Sequence, residues 1–230
     1  MERIRFVDSR ARAGRAARTV EDNLRAAADD PLAEAILARA RRRLESHPVL
    51  AMAARPHRFG PLPLVRHEPG MGYGRHVDDA IMGGIRSDCS FTLFLADPAT
   101  YEGGELVIES TAGEQGFELA PGHLVLYPST TRHRVEPVTR GIRLALVGRL
   151  QSRVREADRR ELLFELDTAR RRLFDERGKD AVFDLIDKSF RSLLRMWAEL
   201  RAGLPLAAAG ARGYRAAAPP VRSARSCAPP

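Results

Sequence analysis

The sequence predicts a mainly β fold with flanking helices, a double-sheet jelly roll, on three observations. Seven short runs rich in β-branched and apolar residues follow one another between residues 62 and 150. Turn signals separate them at Pro69-Gly70, Gly83-Gly84, Asp97-Pro98, Gly103-Gly104, Pro121-Gly122 and Arg140-Gly141. No helical period interrupts the runs, which argues for antiparallel strands in a sandwich or barrel and against a parallel βαβ sheet.

The elements are expected in this order. Val20 to Ala28 and Pro31 to Ser46 read as helices; the second has Pro31 in its first turn, Leu32, Ala35, Ile36 and Leu44 along it, and a stop near Pro48. The predicted strands are Leu62 to His67, Ser90 to Ala96, Glu105 to Glu109, Gly116 to Leu119, His123 to Tyr127, His133 to Val138 and Ile142 to Leu150. Helical periodicity returns over Arg153 to Phe174 and Lys179 to Leu200, with Leu163, Leu166, Phe183, Phe190 and Trp197 on packing faces. The expected organisation is therefore an N-terminal helical support segment (1–61), a jelly-roll core (62–152) and C-terminal helices (153–201). A tail of Ala, Arg, Pro and Gly (202–230) is too poor in apolar bulk to offset the entropy of ordering and is expected to be disordered.

Composition narrows the function classes. At 230 residues and 44% hydrophobic the chain can bury one sizeable core, which excludes a purely disordered reading. Two cysteines, Cys89 and Cys227, cannot build a disulfide framework, so a cytoplasmic, reducing setting is expected. Neither an apolar signal region nor a run of eighteen apolar residues is present, so no membrane span is expected. The net charge of +8 lies at the ends: residues 1–18 hold six Arg and two acids, residues 201–230 five Arg and no acid. The body between them is balanced, which disfavours nucleic acid as a partner. No nucleophile beside a base and no nucleotide-binding glycine loop is found.

One constellation carries chemistry. In Gly70-Met71-Gly72-Tyr73-Gly74-Arg75-His76-Val77-Asp78, an extended backbone sends His76 and Asp78 to one face, two donors for one small cation. His133, opening a strand far downstream, is the best third ligand, because a late jelly-roll strand can return beside an early one. Two His and one carboxylate form the facial triad of non-haem Fe(II) oxygenases, which leaves coordination positions open for a chelating cosubstrate and O₂. Arg143, ten residues after His133 on the next strand, offers a fork for the distal carboxylate of 2-oxoglutarate. His67, on the first core strand, is expected on the surface or half buried; His47, His57 and His123 are not expected to be ligands. Tyr127 reads as a core residue with a satisfied hydroxyl.

These residues resemble the bacterial PKHD-type hydroxylases of the Fe(II)/2-oxoglutarate-dependent dioxygenase superfamily. The resemblance rests on GMGYGRHVDDA (70–80), RSDCSFTLFLAD (86–97), YEGGELVIE (101–109), LVLYPSTTRH (124–133), VTRGIR (138–143), and Gln151-Ser152 leading into LLFELDT (162–168), and it runs from roughly residue 6 to residue 200. It implies a double-stranded β-helix of the cupin-like kind, iron on His76, Asp78 and His133, and 2-oxoglutarate on Arg143. It also implies hydroxylation of an unknown substrate with O₂, and L-ascorbate (vitamin C) as the reductant that keeps iron ferrous. Three departures stand out. Phe6 to Asn23 resembles a segment that the family reaches after an opening helix and strand, so a truncated N-terminus is expected. Val65-Arg66-His67 stands for the family's Asn-Arg-Tyr. Arg149 stands for an aromatic before Gln-Ser and must snorkel, pair or distort its strand. Two other readings stay open: an impaired protein that binds iron and 2-oxoglutarate without turnover, and a cupin-like jelly roll that binds a metal or sugar without redox chemistry.

Overall fold

The structure, a computed structural model, describes residues 4–11 and 17–199; the expected tail over 202–230 lies outside the described residues. In chain order the strands and helices are β1 (Phe6–Asp8), β2 (Glu21–Asp22), β3 (Leu24–Ala26), α1 (Pro31–Glu45), α2 (Pro48–Ala54), β4 (Pro56–Phe59), β5 (Leu64–His67), β6 (Gly72–His76), β7 (Ile81–Met82), β8 (Ile85–Arg86) and β9 (Cys89–Phe94). There follow β10 (Tyr101–Gly103), β11 (Leu106–Ser110), β12 (Gly113–Phe117), β13 (Leu124–Pro128), β14 (His133–Val135), β15 (Val138–Gly141), β16 (Arg143–Ser152), α3 (Ala157–Arg177) and α4 (Ala181–Trp197). Every strand pairing is antiparallel.

Two sheets make the sandwich. The larger runs β1-β3-β5-β16-β9-β13, with β4 also paired to β16; the smaller runs β12-β11-β14-β6-β2. The ten-residue β16 organises the larger sheet, pairing Arg143 with His67 on one side and Arg149 with Ser90 on the other. Strand alternation sorts its side chains. Leu146 and Leu150 join Leu64, Cys89 and Phe91 in a core sealed by Ala33, Leu44, Leu50 and Ala54 of α1 and α2. The opposite parity, with Arg143, Val147 and Arg149 of β16 and Val65 and His67 of β5, faces a cavity between the sheets. Phe94, Leu106 and Tyr127 form a second apolar cluster inside the sandwich. A sandwich interior is ordinarily apolar, so charged and imidazole side chains on this face identify it as the working surface.

Local chemistry explains most element ends. The Asp30 carboxylate caps α1 by accepting from the Leu32 and Ala33 amides at 3.0 and 2.9 Å, with Pro31 just inside. Pro48, expected to end that helix, also begins α2, where its missing N–H costs nothing. The C-terminal helices pair through Leu163 and Phe190, with Val154, which precedes α3, in the same cluster and Trp197 packed against it.

Two expectations for the N-terminal segment are corrected. Val20 to Ala28 is not a helix: β2 pairs with β6 (Glu21 opposite Tyr73) and β3 with β5 (Leu24 opposite Arg66). Pairing with strands that would otherwise be open edges outweighs a short apolar period. Residues 1–61 are thus not helical support alone, since β1 to β4 add strands to both sheets.

Candidate metal centre and its cavity

His76 ends β6 and His133 begins β14, and the two are direct cross-strand partners. Their rings therefore meet, with centroids 4.2 Å apart. Asp78 lies two residues past His76, and its Oδ1 stands 4.0 Å from His76 Nε2. One ligand atom from each of the three residues falls within 4.8 Å of the other two, the one such group of three among the described residues. The structure brings His76, Asp78 and His133 together, and strand register, not chain proximity, brings His133 in.

The surroundings put both imidazoles in the form that a metal needs. His76 Nδ1 lies 2.9 Å from the Gly74 carbonyl, and His133 Nδ1 lies 3.0 Å from the Thr131 carbonyl. A carbonyl only accepts, so Nδ1 carries the proton in each ring and Nε2 keeps its lone pair. His76 Nε2 is buried and has no hydrogen-bond partner, an orphaned donor atom facing the other two ligands. Burial lowers the pKa of His76 to about 4, with the neighbouring His133 adding to the effect, and burial also lowers that of His133. Both rings are neutral at pH 7. Tyr73 stacks on His76 at 3.8 Å and 12°, and Tyr127 meets the His133 ring edge-on at 4.9 Å, so each imidazole is held in plane.

Asp78 is ionised for a different reason. Burial works to raise its pKa, but the Arg149 guanidinium and the Ser90 hydroxyl outweigh burial and hold it below the usual carboxylate range. Ser90 Oγ donates to Oδ2 and itself contacts Ser129 Oγ at 2.7 Å, while Arg149 Nη2 donates to Oδ1. Arg149 thus pairs rather than snorkelling out or distorting the strand. Two neutral imidazoles and one carboxylate, each oriented by a second group, match the donor set of a ferrous facial triad.

Arg143 lines the same cavity. It is 1% exposed, and none of its three guanidinium nitrogens makes a hydrogen bond, although its charge lies over the Phe94 ring at 5.4 Å. The backbone makes room for it: a Cβ on Gly104 would sit 2.8 Å from Arg143 Cδ, and Gly104 has φ +72°. His67, the cross-strand neighbour of Arg143, is 2% exposed and not the surface or half-buried residue expected. Both of its ring nitrogens lack partners, and burial followed by the Arg143 charge lowers its pKa to about 3. Arg143 and His67 thus stand side by side in one cavity as two buried groups without hydrogen-bond partners.

Sequence reasoning missed part of this cavity. Ser90, Tyr73 and Tyr127 line it, as do Glu21, Asn23 and Arg25 from β2, β3 and the link between them, a stretch read as a helix. The inward parity of β16 was the available signal for Arg149, since it lies an even number of residues from Arg143. The remaining histidines are elsewhere: His47 caps α2 by accepting from the Leu50 amide at 3.3 Å, His123 lies against the Ala120 carbonyl, and His57 lies on β4. No helix among the described residues is long and apolar enough to cross a membrane.

Comparison with known proteins finds relatives over most of the chain. The family model of the 2OG-Fe(II) oxygenase superfamily matches residues 62–150. A PKHD-type hydroxylase of Picosynechococcus sp. is 48% identical over 194 residues, which cover 84% of this chain and 89% of that protein. A PKHD-type hydroxylase of Synechococcus elongatus is 47% identical over 203 residues, covering 86% of this chain and 91% of that one. Among solved structures, a prolyl-4-hydroxylase of Pseudomonas putida is similar at 24% identity and a TM-score of 0.44, covering 64% of this chain and 78% of that chain. With identity near one half across most of both chains, this protein belongs to the PKHD-type hydroxylases of the 2OG-Fe(II) oxygenase superfamily.

Proposed function

We propose that His76, Asp78 and His133 hold the ferrous ion of this oxygenase and that Arg143 anchors the distal carboxylate of 2-oxoglutarate. One observation carries the reading: three oriented metal donors and a buried guanidinium without hydrogen bonds line a single cavity. When bound there, iron supplies the O₂ chemistry that couples decarboxylation of 2-oxoglutarate to hydroxylation of a substrate C–H bond.

The chain's own residues prepare that chemistry. The Gly74 and Thr131 carbonyls keep Nε2 of each ligating histidine free of protons. Ser90 and Arg149 keep Asp78 ionised. Arg143 meets the cosubstrate with a fork matched to a carboxylate, in surroundings where few waters compete. Leu106, Val135 and Val147 line the same cavity and limit the water that could quench an oxidant. We assign residues 62–152 as the catalytic core and read the flanking segments as support. L-Ascorbate is proposed as the reductant that keeps iron ferrous, and the cytoplasm as the location, a setting in which the buried free thiol of Cys89 stays reduced.

Aerobic release of succinate with Fe(II), 2-oxoglutarate and ascorbate tests the reading. The intact protein should release succinate, and the Asp78→Ala variant should not. Equal release by both would overturn the ligand assignment. Iron binding without any decarboxylation by the intact protein would leave the impaired iron-binding reading in its place.

A further inference from the structure

Arg149 lies six residues after Arg143 on β16, an even spacing that turns both side chains into the cavity. Ala145 and Val147, small and uncharged, stand between them on the same face. The cavity wall therefore carries one fixed cation towards each end of an apolar stretch. Arg143 has no hydrogen-bond acceptor. Arg149 has one, Asp78 Oδ1, which is also the oxygen turned towards His76 Nε2. Arg149 is not fully paired: its Nε is buried without a partner.

This arrangement is strained once the site is loaded. A metal ion held by the triad would draw on Asp78 Oδ1, the same atom that neutralises the guanidinium. Two cations then share one carboxylate oxygen in a place that little water reaches, and a buried guanidinium without a full counter-charge is costly. The group that relieves it must be anionic and must arrive beside the metal. Under the reading above, 2-oxoglutarate is a dianion whose keto-acid end chelates the metal while its other end reaches Arg143. The carboxylate on the metal side is the anion placed to meet Arg149.

We propose that Arg149 is a second anchor for the cosubstrate. It pairs with Asp78 in the empty cavity and turns to the metal-side carboxylate of 2-oxoglutarate in the loaded one. The dicarboxylate is then held between two arginines of one strand. This inference rests on the proposed function, and its test is chosen so that the two can fail separately.

The experiment is anaerobic binding to the Co(II)-loaded protein, followed by calorimetry with two probes. One is 2-oxoglutarate; the other is 2-oxobutanoate, which keeps the chelating keto-acid end and lacks the distal carboxylate. Losing a charge-assisted contact should weaken binding by about 10- to 100-fold. Arg149→Leu should weaken both probes by a similar factor, whereas Arg143→Leu should weaken 2-oxoglutarate and leave 2-oxobutanoate unchanged. Arg149→Lys, which keeps the charge, should recover part of the loss and guards against misfolding of the leucine variant. Unchanged affinity for both probes in Arg149→Leu would overturn the proposal. So would a loss confined to 2-oxoglutarate, or a loss of Co(II) binding itself, which would limit Arg149 to positioning Asp78. If the unsubstituted Co(II) protein bound neither probe, the cosubstrate site would be refuted and this inference with it.

Discussion

An Arg143→Met substitution removes a guanidinium that is 1% exposed and makes no hydrogen bond through Nε, Nη1 or Nη2. Burial already pushes its pKa down, the response of a charge held where water cannot solvate it. Burying a charged side chain carries a desolvation penalty of several kcal/mol that Tyr101, Tyr127 and Glu118 offset only in part here, so an apolar side chain of similar length should stabilise the fold, by analogy with replaced buried ion pairs, by about 1–4 kcal/mol. Loss of the contact with the Phe94 ring returns roughly 0.5–2 kcal/mol of that. The net expectation is a metal-free protein more stable by ~1 kcal/mol, within a range of about −1 to +3.5 kcal/mol. For a domain of this size each kcal/mol raises Tm by about 2–4 °C. The same substitution removes the carboxylate fork and should weaken 2-oxoglutarate by ~2–3 kcal/mol, about 30- to 150-fold. Urea melts give the first quantity, read as a shift in midpoint at constant slope, and calorimetry on the Co(II) protein gives the second. A variant that is less stable and binds 2-oxoglutarate normally would show that Arg143 is a structural residue and refute the reasoning.

Other perturbations separate the parts of the site. His67, with a folded pKa of about 3 against an ordinary value of 6.5, takes up its proton more readily in the unfolded chain. It therefore costs the fold nothing above pH 7 and removes about 2 kcal/mol by pH 5; His67→Gln should flatten the fall in stability between pH 7 and 5, measured by urea melts. Ser90→Ala deletes the donor on Asp78 Oδ2 and should lower Co(II) affinity ~10-fold in competition with a chelator. In Gly104→Ala the new Cβ meets Arg143 Cδ at 2.8 Å with φ at +72°, so stability should fall by about 1–2 kcal/mol and KM for 2-oxoglutarate should rise. Leu146→Ala should cost 2–5 kcal/mol, seen as a loss of Tm, because Leu146 is fully buried between the larger sheet and α1–α2.

The legible part of the fold was the part that local pattern controls. Turn residues and alternating runs located β5, β9, β11, β13, β14 and β16, and amphipathic periodicity located α1, α3 and α4. What failed depends on distant partners. Glu21 to Ala26 has an apolar period too short to settle its own conformation, and pairing with β5 and β6 decides it. Pro48 is compatible with both an ending and a beginning, and only the His47 cap on Leu50 distinguishes them. At the site, residue spacing singled out His76, Asp78, His133 and Arg143, and the fold brings all four to one cavity. His67 and Arg149 were harder, since a histidine or arginine on a strand is usually solvated. Their burial follows from register with Arg143 and Ser90, which no single stretch of sequence displays.

The most direct measurement is X-ray absorption at the iron edge of the anaerobic Fe(II)-loaded protein, read for the number of imidazole ligands. Two imidazoles are expected in the intact protein, falling to one in His133→Ala, whose partner His76 lies directly across the strand pair. An iron environment with no imidazole signal, or one left unchanged by His133→Ala, would contradict the assignment of these side chains to the metal.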